Sequence, residues 1–172
     1  MMRPGKAHPN DPQVLRDETA RPVDRAAALS RLVSDRRTEF EPDIVRCLAH
    51  EHPILRGDAI RALVGRWCMA QYVPQADRML AEDPDEAVRG DAAGALSMYA
   101  WLGGVPEPER LRILRTLARV VQKKEDPGVQ EAAYNGVLRI LDRPSTEYFH
   151  EALRFFDPHR DANWELLKPY LD

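Results

Sequence analysis

The stretch Asp83-Pro84-Asp85-Glu86-Ala87-Val88-Arg89-Gly90-Asp91-Ala92 decides the fold, because its second half has a counterpart upstream. Leu55-Arg56-Gly57-Asp58-Ala59 carries the same pattern 33 residues earlier. A looser copy, Val129-Gln130-Glu131-Ala132-Ala133, follows 41 residues after the second one. Each copy comes shortly after a proline, where a helix can begin because its first turn needs no backbone donor. Repetition at this period predicts stacked helical hairpins, with another helix between successive copies.

The rest of the chain shows the same helical pattern from residue 21 onward. Apolar residues recur at spacings of three and four, and strand-like alternation is nearly absent. This periodicity predicts an all-α fold of about four hairpins. The predicted helices are residues 21–35, 41–50, 53–69, 73–82, 85–102, 107–124, 127–141, 145–156 and 161–171.

Composition excludes several classes of protein. The 172 residues are 44% hydrophobic and 31% charged, which excludes a disordered chain. A net charge of −3 argues against a strongly nucleic-acid-binding domain. No apolar run is long enough to span a membrane, and no secretory signal is visible. Cys47 and Cys68 are too few for a disulfide framework, so we expect a reduced, cytoplasmic protein. Residues 1–20 contain three prolines and little apolar periodicity, so we expect a flexible N-terminal arm before a helical domain over 21–172.

Residues 83–96 resemble the HEAT-repeat family, specifically its short bacterial type: an Asp-Pro turn, then Val-Arg, Ala-Ala and Ala-Leu. The resemblance covers about residues 40–142. It is weaker in the first copy, where His50 stands in place of the turn aspartate, and in the third, where Gln130 replaces the arginine. It implies a right-handed α-α superhelix. It also implies that the turn aspartate Asp83 pairs with Arg89, six positions later.

Residues that could carry chemistry are few, and we expect neither an enzyme nor a cofactor. The pairs Gly57-Asp58 and Gly90-Asp91 stand where some HEAT-like hydroxylases carry iron-binding His-Glu pairs, but the histidines are missing. No nucleophile elbow or phosphate-binding loop is present. One group has metal-ligand residue types at a loose spacing, and we favour a structural role for it. Its members are Cys47, His50, His52 and Cys68.

A basic stripe lies along the predicted helix 107–124. Its members are Arg112, Arg115, Arg119 and Lys123. Such a stripe can contact phosphates, and HEAT-like DNA glycosylases bind nucleic acid. This helix is the first of its hairpin, however, and in a HEAT solenoid that helix lies on the convex side. A solvated face opposite the apolar residues is therefore the favoured interpretation.

The second helices of the hairpins are expected to line a concave, partner-binding face. On the middle one, the predicted face runs through Arg89, Ala93, Ser97 and Trp101. Arginine and aromatic residues dominate the energetics of protein interfaces. The predicted partner-binding residues are Arg56, Arg61, Arg89, Trp101, Gln130, Glu131 and Tyr134. We therefore expect a non-enzymatic protein that binds another protein, such as a bacterial immunity protein or an adaptor. A nucleic-acid-binding protein of the glycosylase-like type is the alternative.

Overall fold

A computed structural model describes residues 7–123, 125–143 and 156–171. This part of the chain contains helices and no strand. The helices are α1 (Asp11–Arg16), α2 (Pro22–Ser34), α3 (Glu41–Cys47), α4 (Pro53–Ile60), α5 (Val73–Glu82), α6 (Glu86–Leu102), α7 (Glu107–Gln122), α8 (Pro127–Ile140), α9 (Pro158–Asp161) and α10 (Trp164–Leu167). Short 3₁₀ turns follow α10 and precede α3 and α5. The predicted all-α fold is confirmed.

The starts of the repeated helices are capped by side chains that the sequence repeats. The carboxylate of Asp85 accepts hydrogen bonds from the backbone N–H groups of Ala87 and Val88 at the start of α6. Asp126 does the same for Gly128 in α8. Such caps satisfy donors that have no partner inside the helix, and α6 and α8 begin within two residues of the prolines that predict them.

The helices form four hairpins, α1–α2, α3–α4, α5–α6 and α7–α8. The second helices pack side by side in the order α2, α4, α6 and α8, and each first helix packs behind its own second helix. Small residues allow the second helices to approach closely. At Gly136 of α8, an added Cβ would lie 3.0 Å from side-chain atoms of both Leu117 and Ser97. The arrangement is the predicted solenoid of about four hairpins.

Helix α4 ends differently from the prediction. It continues as a π-helical stretch over Arg61–Arg66, in which the N–H of Trp67 donates to the carbonyl of Ala62 at 2.9 Å. The chain then leaves the helix through Cys68, whose φ of 53° is left-handed. The predicted helix over residues 53–69 therefore stops at residue 66, because a left-handed residue ends the helical path.

The first hairpin includes residues that the sequence assigns to a mobile arm. Leu15 is buried against α2, and the carboxylate of Asp11 is only 2% exposed. Arg31 of α2 donates to Asp11 at 2.6 Å, and Arg16 donates to Asp43 of α3 at 2.7 Å. These contacts make residues 11–16 part of the packed solenoid. Apolar periodicity missed them because one leucine and two ion pairs do the anchoring.

The end of the chain also departs from the predicted helix over 161–171. It consists of α9, α10 and a 3₁₀ turn instead of one helix. The side chain of Asn163 accepts a hydrogen bond from the N–H of Leu166 and so caps the start of α10, which separates α10 from α9. This segment packs on α7 and α8 and closes the end of the solenoid. The predicted helix 145–156 lies outside the described residues except for its last position.

Candidate protein-binding face

The repeated arginine of α4 holds two hairpins together. Arg56 donates from Nε and Nη2 to the two carboxylate oxygens of Asp83, at 2.9 and 2.7 Å. Its Nη1 donates to the carbonyls of His50 and Glu51, in the turn before its own helix. Burial raises the pKa of Asp83, but hydrogen bonds from Arg56 and the N–H of Asp85 outweigh it and leave the pKa below its ordinary value. Arg56 is therefore a junction residue, with 13% of its side chain exposed.

The repeated arginine of α6 makes the corresponding junction one hairpin further along. Arg89 Nη1 donates to the backbone carbonyl of Asp83 at 2.9 Å, and Nη2 donates to the carboxylate of Glu125 at 2.8 Å. The expected pairing of the Asp83 carboxylate with Arg89 is therefore wrong. The aspartate side chain belongs to Arg56 of the preceding hairpin, and Arg89 contacts only the main chain of that turn.

Residues at the equivalent position of the first and last second helices, Arg25 and Gln130, also bond to neighbouring turns. Arg25 of α2 donates to the carbonyl of Leu15 and lies 3.1 Å from Nε2 of His50, the residue in place of the turn aspartate. In α8, Gln130 donates to the carbonyls of Val121 and Lys123 and is 6% exposed. Gln130 therefore secures its own hairpin instead of presenting itself to a partner.

The face that the second helices present to solvent is the remaining candidate surface. Neighbouring second helices cover their sides and the first helices cover their backs, so only one arc of each stays open. We call this surface the inner face. Its members on α4, the π-helical stretch, α6 and α8 are Asp58, Arg61, Gly90, Asp91, Gly94, Met98, Trp101, Glu131, Ala132, Asn135 and Arg139.

The predicted face of α6 was displaced by one residue. Ala93 and Ser97 have no exposed surface and pack inside the array. The open positions are instead Asp91, Gly94 and Met98, which share an arc with Trp101. The displacement arises because Arg89, the predicted start of the exposed arc, has its side chain in the junction between hairpins.

A charged cluster lies at the centre of the inner face. The guanidinium of Arg61 forms salt bridges with Asp58 on its own helix and, at 3.1 Å, with Asp91 on α6. The Asp91 carboxylate lies against Gly57, where any Cβ would collide with it. Burial raises the pKa of Asp91 above its ordinary value, and the charge of Arg61 only partly opposes this. Two carboxylates thus share one guanidinium at this point.

Two further predicted residues, Trp101 and Glu131, are open on this face. The indole of Trp101 is 48% exposed, and its Nε1 donates to Asp142 at 3.0 Å. Glu131 is half-buried and forms no ion pair with any described residue. Tyr134 is different, since it is 3% exposed and its hydroxyl accepts from the N–H of Asn163 in the C-terminal segment. Arg61, Trp101 and Glu131 therefore lie on the inner face, at separate places along it, and Arg56, Arg89, Gln130 and Tyr134 do not.

The group of metal-ligand residue types has other contacts. The ring of His50 accepts from the N–H of His52 through Nδ1 and faces Arg25 through Nε2. Cys47 is buried and its thiol contacts the carbonyl of Asp43, and burial raises the pKa of this thiol. Across the described part of the chain, no three His, Cys, Asp or Glu residues are placed to hold a metal ion.

The basic stripe lies on the outer side, on α7. Arg112 is neutralised by Asp77 at 2.9 Å and by Glu109 at 2.8 Å. The other three members, Arg115, Arg119 and Lys123, are exposed and form no ion pair within the described residues. The core of the array separates this stripe from the inner face.

Comparison with known families supports the architecture. A family model described as HEAT repeats matches residues 41–136, which is more than half of the chain. The protein belongs to the HEAT-repeat family. HEAT repeats are typically non-enzymatic scaffolds that mediate protein–protein interaction. Neither the curated proteins nor the solved structures gave a significant match to this HEAT-repeat chain. None of its described helices has the length and apolar character needed to cross a membrane.

Proposed function

We propose that this HEAT-repeat protein is a non-enzymatic binding protein whose inner face docks another protein, in the manner of a bacterial immunity or adaptor protein. The observation that carries the proposal is Trp101, a large aromatic side chain left 48% exposed at the edge of the inner face. Its neighbour Leu102, at the end of the same helix, is 53% exposed. Exposed aromatic residues beside polar groups are typical anchors of protein interfaces. The two free cysteines are consistent with a reducing compartment such as the cytoplasm.

The arrangement of the inner face also suits a protein partner. Its side chains are held by helices that pack against one another, so few of them would lose freedom on binding. Arg61 is already positioned by Asp58 and Asp91, yet 55% of its side chain remains exposed. A partner would meet a preformed row of polar groups bordered by an aromatic ring. No motif for chemistry accompanies this row, and we propose binding alone.

A nucleic-acid partner is the second candidate, and it would use the outer side. Arg115, Arg119 and Lys123 support it, since they form no ion pair with a described residue and could contact phosphates without breaking one. The net charge of −3 and the location of these cations outside the inner face favour the protein partner.

Photocross-linking distinguishes the two candidates. A benzoylphenylalanine placed at Met98 probes the inner face, and one placed at Arg119 is the matched probe of the outer side. We expect a protein adduct from Met98 in the native host, lost when Trp101→Ala is introduced. Nuclease-sensitive adducts from Arg119 alone would favour the nucleic-acid candidate and contradict this proposal.

A further inference from the structure

The three junctions between successive hairpins differ in what their arginine contacts. At the second and third junctions, the arginine of one hairpin bonds to a carboxylate of the next; the pairs are Arg56–Asp83 and Arg89–Glu125. Arg25 holds the equivalent place on α2, but it faces His50, which stands in place of the turn aspartate. Arg25 forms no ion pair with any described residue. The first junction therefore has the cation of the repeat without its anion.

The guanidinium of Arg25 is buried without an opposite charge. Only 8% of the residue is exposed. Its Nε donates to the carbonyl of Leu15 at 3.0 Å, and its Nη2 forms no hydrogen bond with any described residue. Buried charges are normally paired, and a backbone carbonyl compensates a guanidinium only partly. Arg25 is thus left with an unused N–H group and an unpaired charge.

The ring of His50 presents a second donor at the same place. Its Nδ1 accepts from the N–H of His52 at 2.9 Å. A neutral imidazole has one acceptor nitrogen, so its Nε2 carries the proton. This Nε2 lies 3.1 Å from Nη1 of Arg25, which is also a donor. Two donors that face each other need an acceptor from elsewhere, and an oxyanion beside them would accept from both.

Both side chains line one cavity, which has a volume of about 320 Å³. Pockets for small molecules begin at about this size. Asp43 also lines the cavity but does not neutralise Arg25, because both of its carboxylate oxygens accept from Arg16, at 3.0 and 2.7 Å. The other acidic residues of the lining, Glu18 and Glu51, are exposed and form no ion pair with a described residue. The buried cation therefore opens onto a space that a ligand can enter.

We propose that this cavity binds a small molecule through an oxyanion group, a phosphate or a carboxylate, which accepts hydrogen bonds from the guanidinium of Arg25 and from Nε2 of His50. The ligand supplies the negative charge that Asp83 supplies at the second junction. A guanidinium suits both groups, since its N–H donors form a fork that matches two oxygens. None of these residues belongs to the inner face, so the inference is independent of the protein-binding proposal.

An NMR titration of the full chain tests the site. The ¹⁵N-labelled protein is titrated with sodium phosphate and, separately, with sodium acetate, at constant ionic strength. We expect saturable shifts of the side-chain Nε–H signal of Arg25 and the ring N–H signal of His50, with a dissociation constant of about 1 mM or lower. Binding of phosphate alone would assign a phosphate group to the ligand, and binding of acetate alone would assign a carboxylate.

A variant that supplies the missing carboxylate from within the chain locates the binding. His50→Asp should pair with Arg25, raise the midpoint of thermal unfolding and weaken anion binding at least about tenfold. His52→Asp is the matched control, because it makes the same change of charge at an exposed cap that does not line the cavity. It should keep the dissociation constant within about twofold.

Absence of shifts at Arg25 and His50 with both anions would overturn the inference. Unchanged binding in His50→Asp would also overturn it. Equal weakening by His50→Asp and His52→Asp would do the same, since it would assign the effect to the overall charge of the protein. Circular dichroism of each variant verifies that the helical fold is kept.

Discussion

Two arginine–aspartate contacts join the same pair of hairpins, and they differ in how well the charge is satisfied. At the junction, Arg56 contacts both oxygens of Asp83, and the two side chains are 13% and 6% exposed. On the inner face, Arg61 and Asp91 are 55% and 27% exposed, and Arg61 also forms a salt bridge with Asp58. The pKa of Asp83 is held below its ordinary value, whereas burial raises that of Asp91. The junction contact is thus largely buried and made through both carboxylate oxygens, whereas the inner-face contact is exposed to solvent and shared between two carboxylates.

The largest expected effect on stability comes from breaking the junction. Arg56→Ala leaves the buried carboxylate of Asp83 without its guanidinium and frees two turn carbonyls. We expect a loss of about 3 kcal/mol in the free energy of unfolding, measured by urea denaturation. Arg66→Ala, which removes an exposed arginine, is the control and should change stability by less than about 0.5 kcal/mol. Similar losses in the two variants would contradict the distinction between junction and surface arginines.

Acid should weaken the junction and spare the inner face. The pKa of Asp83 is lower in the folded chain than its ordinary 3.8, so its stabilising effect is present above about pH 4 and is lost as pH falls through the folded value. Asp91 has the opposite shift, so its protonation in acid favours the folded chain. Unfolding free energy measured between pH 6 and 3 should therefore fall less in Arg56→Ala than in the unmodified chain. Parallel pH profiles would argue that Asp83 is not held by Arg56.

A smaller effect distinguishes the two acceptors of Arg89. A double-mutant cycle of Arg89→Ala with Glu125→Ala should show a coupling of about 1 kcal/mol, because their side chains are hydrogen-bonded. The cycle of Arg89→Ala with Asp83→Ala should be additive within about 0.5 kcal/mol, since Arg89 contacts only the backbone carbonyl of Asp83. If Arg89 were coupled more strongly to Asp83 than to Glu125, the predicted pairing of Arg89 with the Asp83 carboxylate would be correct after all.

The smallest effect has the opposite sign. Asp91→Asn keeps the size of the side chain and removes a charge that burial disfavours, so we expect stabilisation of less than about 1 kcal/mol at pH 7. Arg61 would keep its contact with Asp58. Asp83→Asn is the matched comparison and should destabilise. Thermal unfolding of both variants checks the difference, and a clear loss of stability in Asp91→Asn would show that this carboxylate serves the fold.

The sequence predicts the helices within each repeat better than the contacts between repeats. The starts of α6 and α8 follow from a proline and a capping aspartate within a few residues. The acceptors of Arg56 and Arg89 lie 27 and 36 residues away, across hairpins of different length, so local spacing could not assign them. The same long-range packing shifted the predicted face of α6 by one residue and buried Tyr134 beneath the C-terminal segment.

The arginine contacts between hairpins also determine where such an array can grow. Arg56 and Arg89 each need an acidic turn in the hairpin that follows, and the unit between them carries both the donor and the acceptor. Duplication of that 33-residue unit would reproduce its own cross-link at each new boundary. Among the described residues, Gln130 bonds only to carbonyls of its own hairpin, so the position that corresponds to Arg56 and Arg89 makes no such link in α8. The array could therefore be lengthened by duplicating this internal unit.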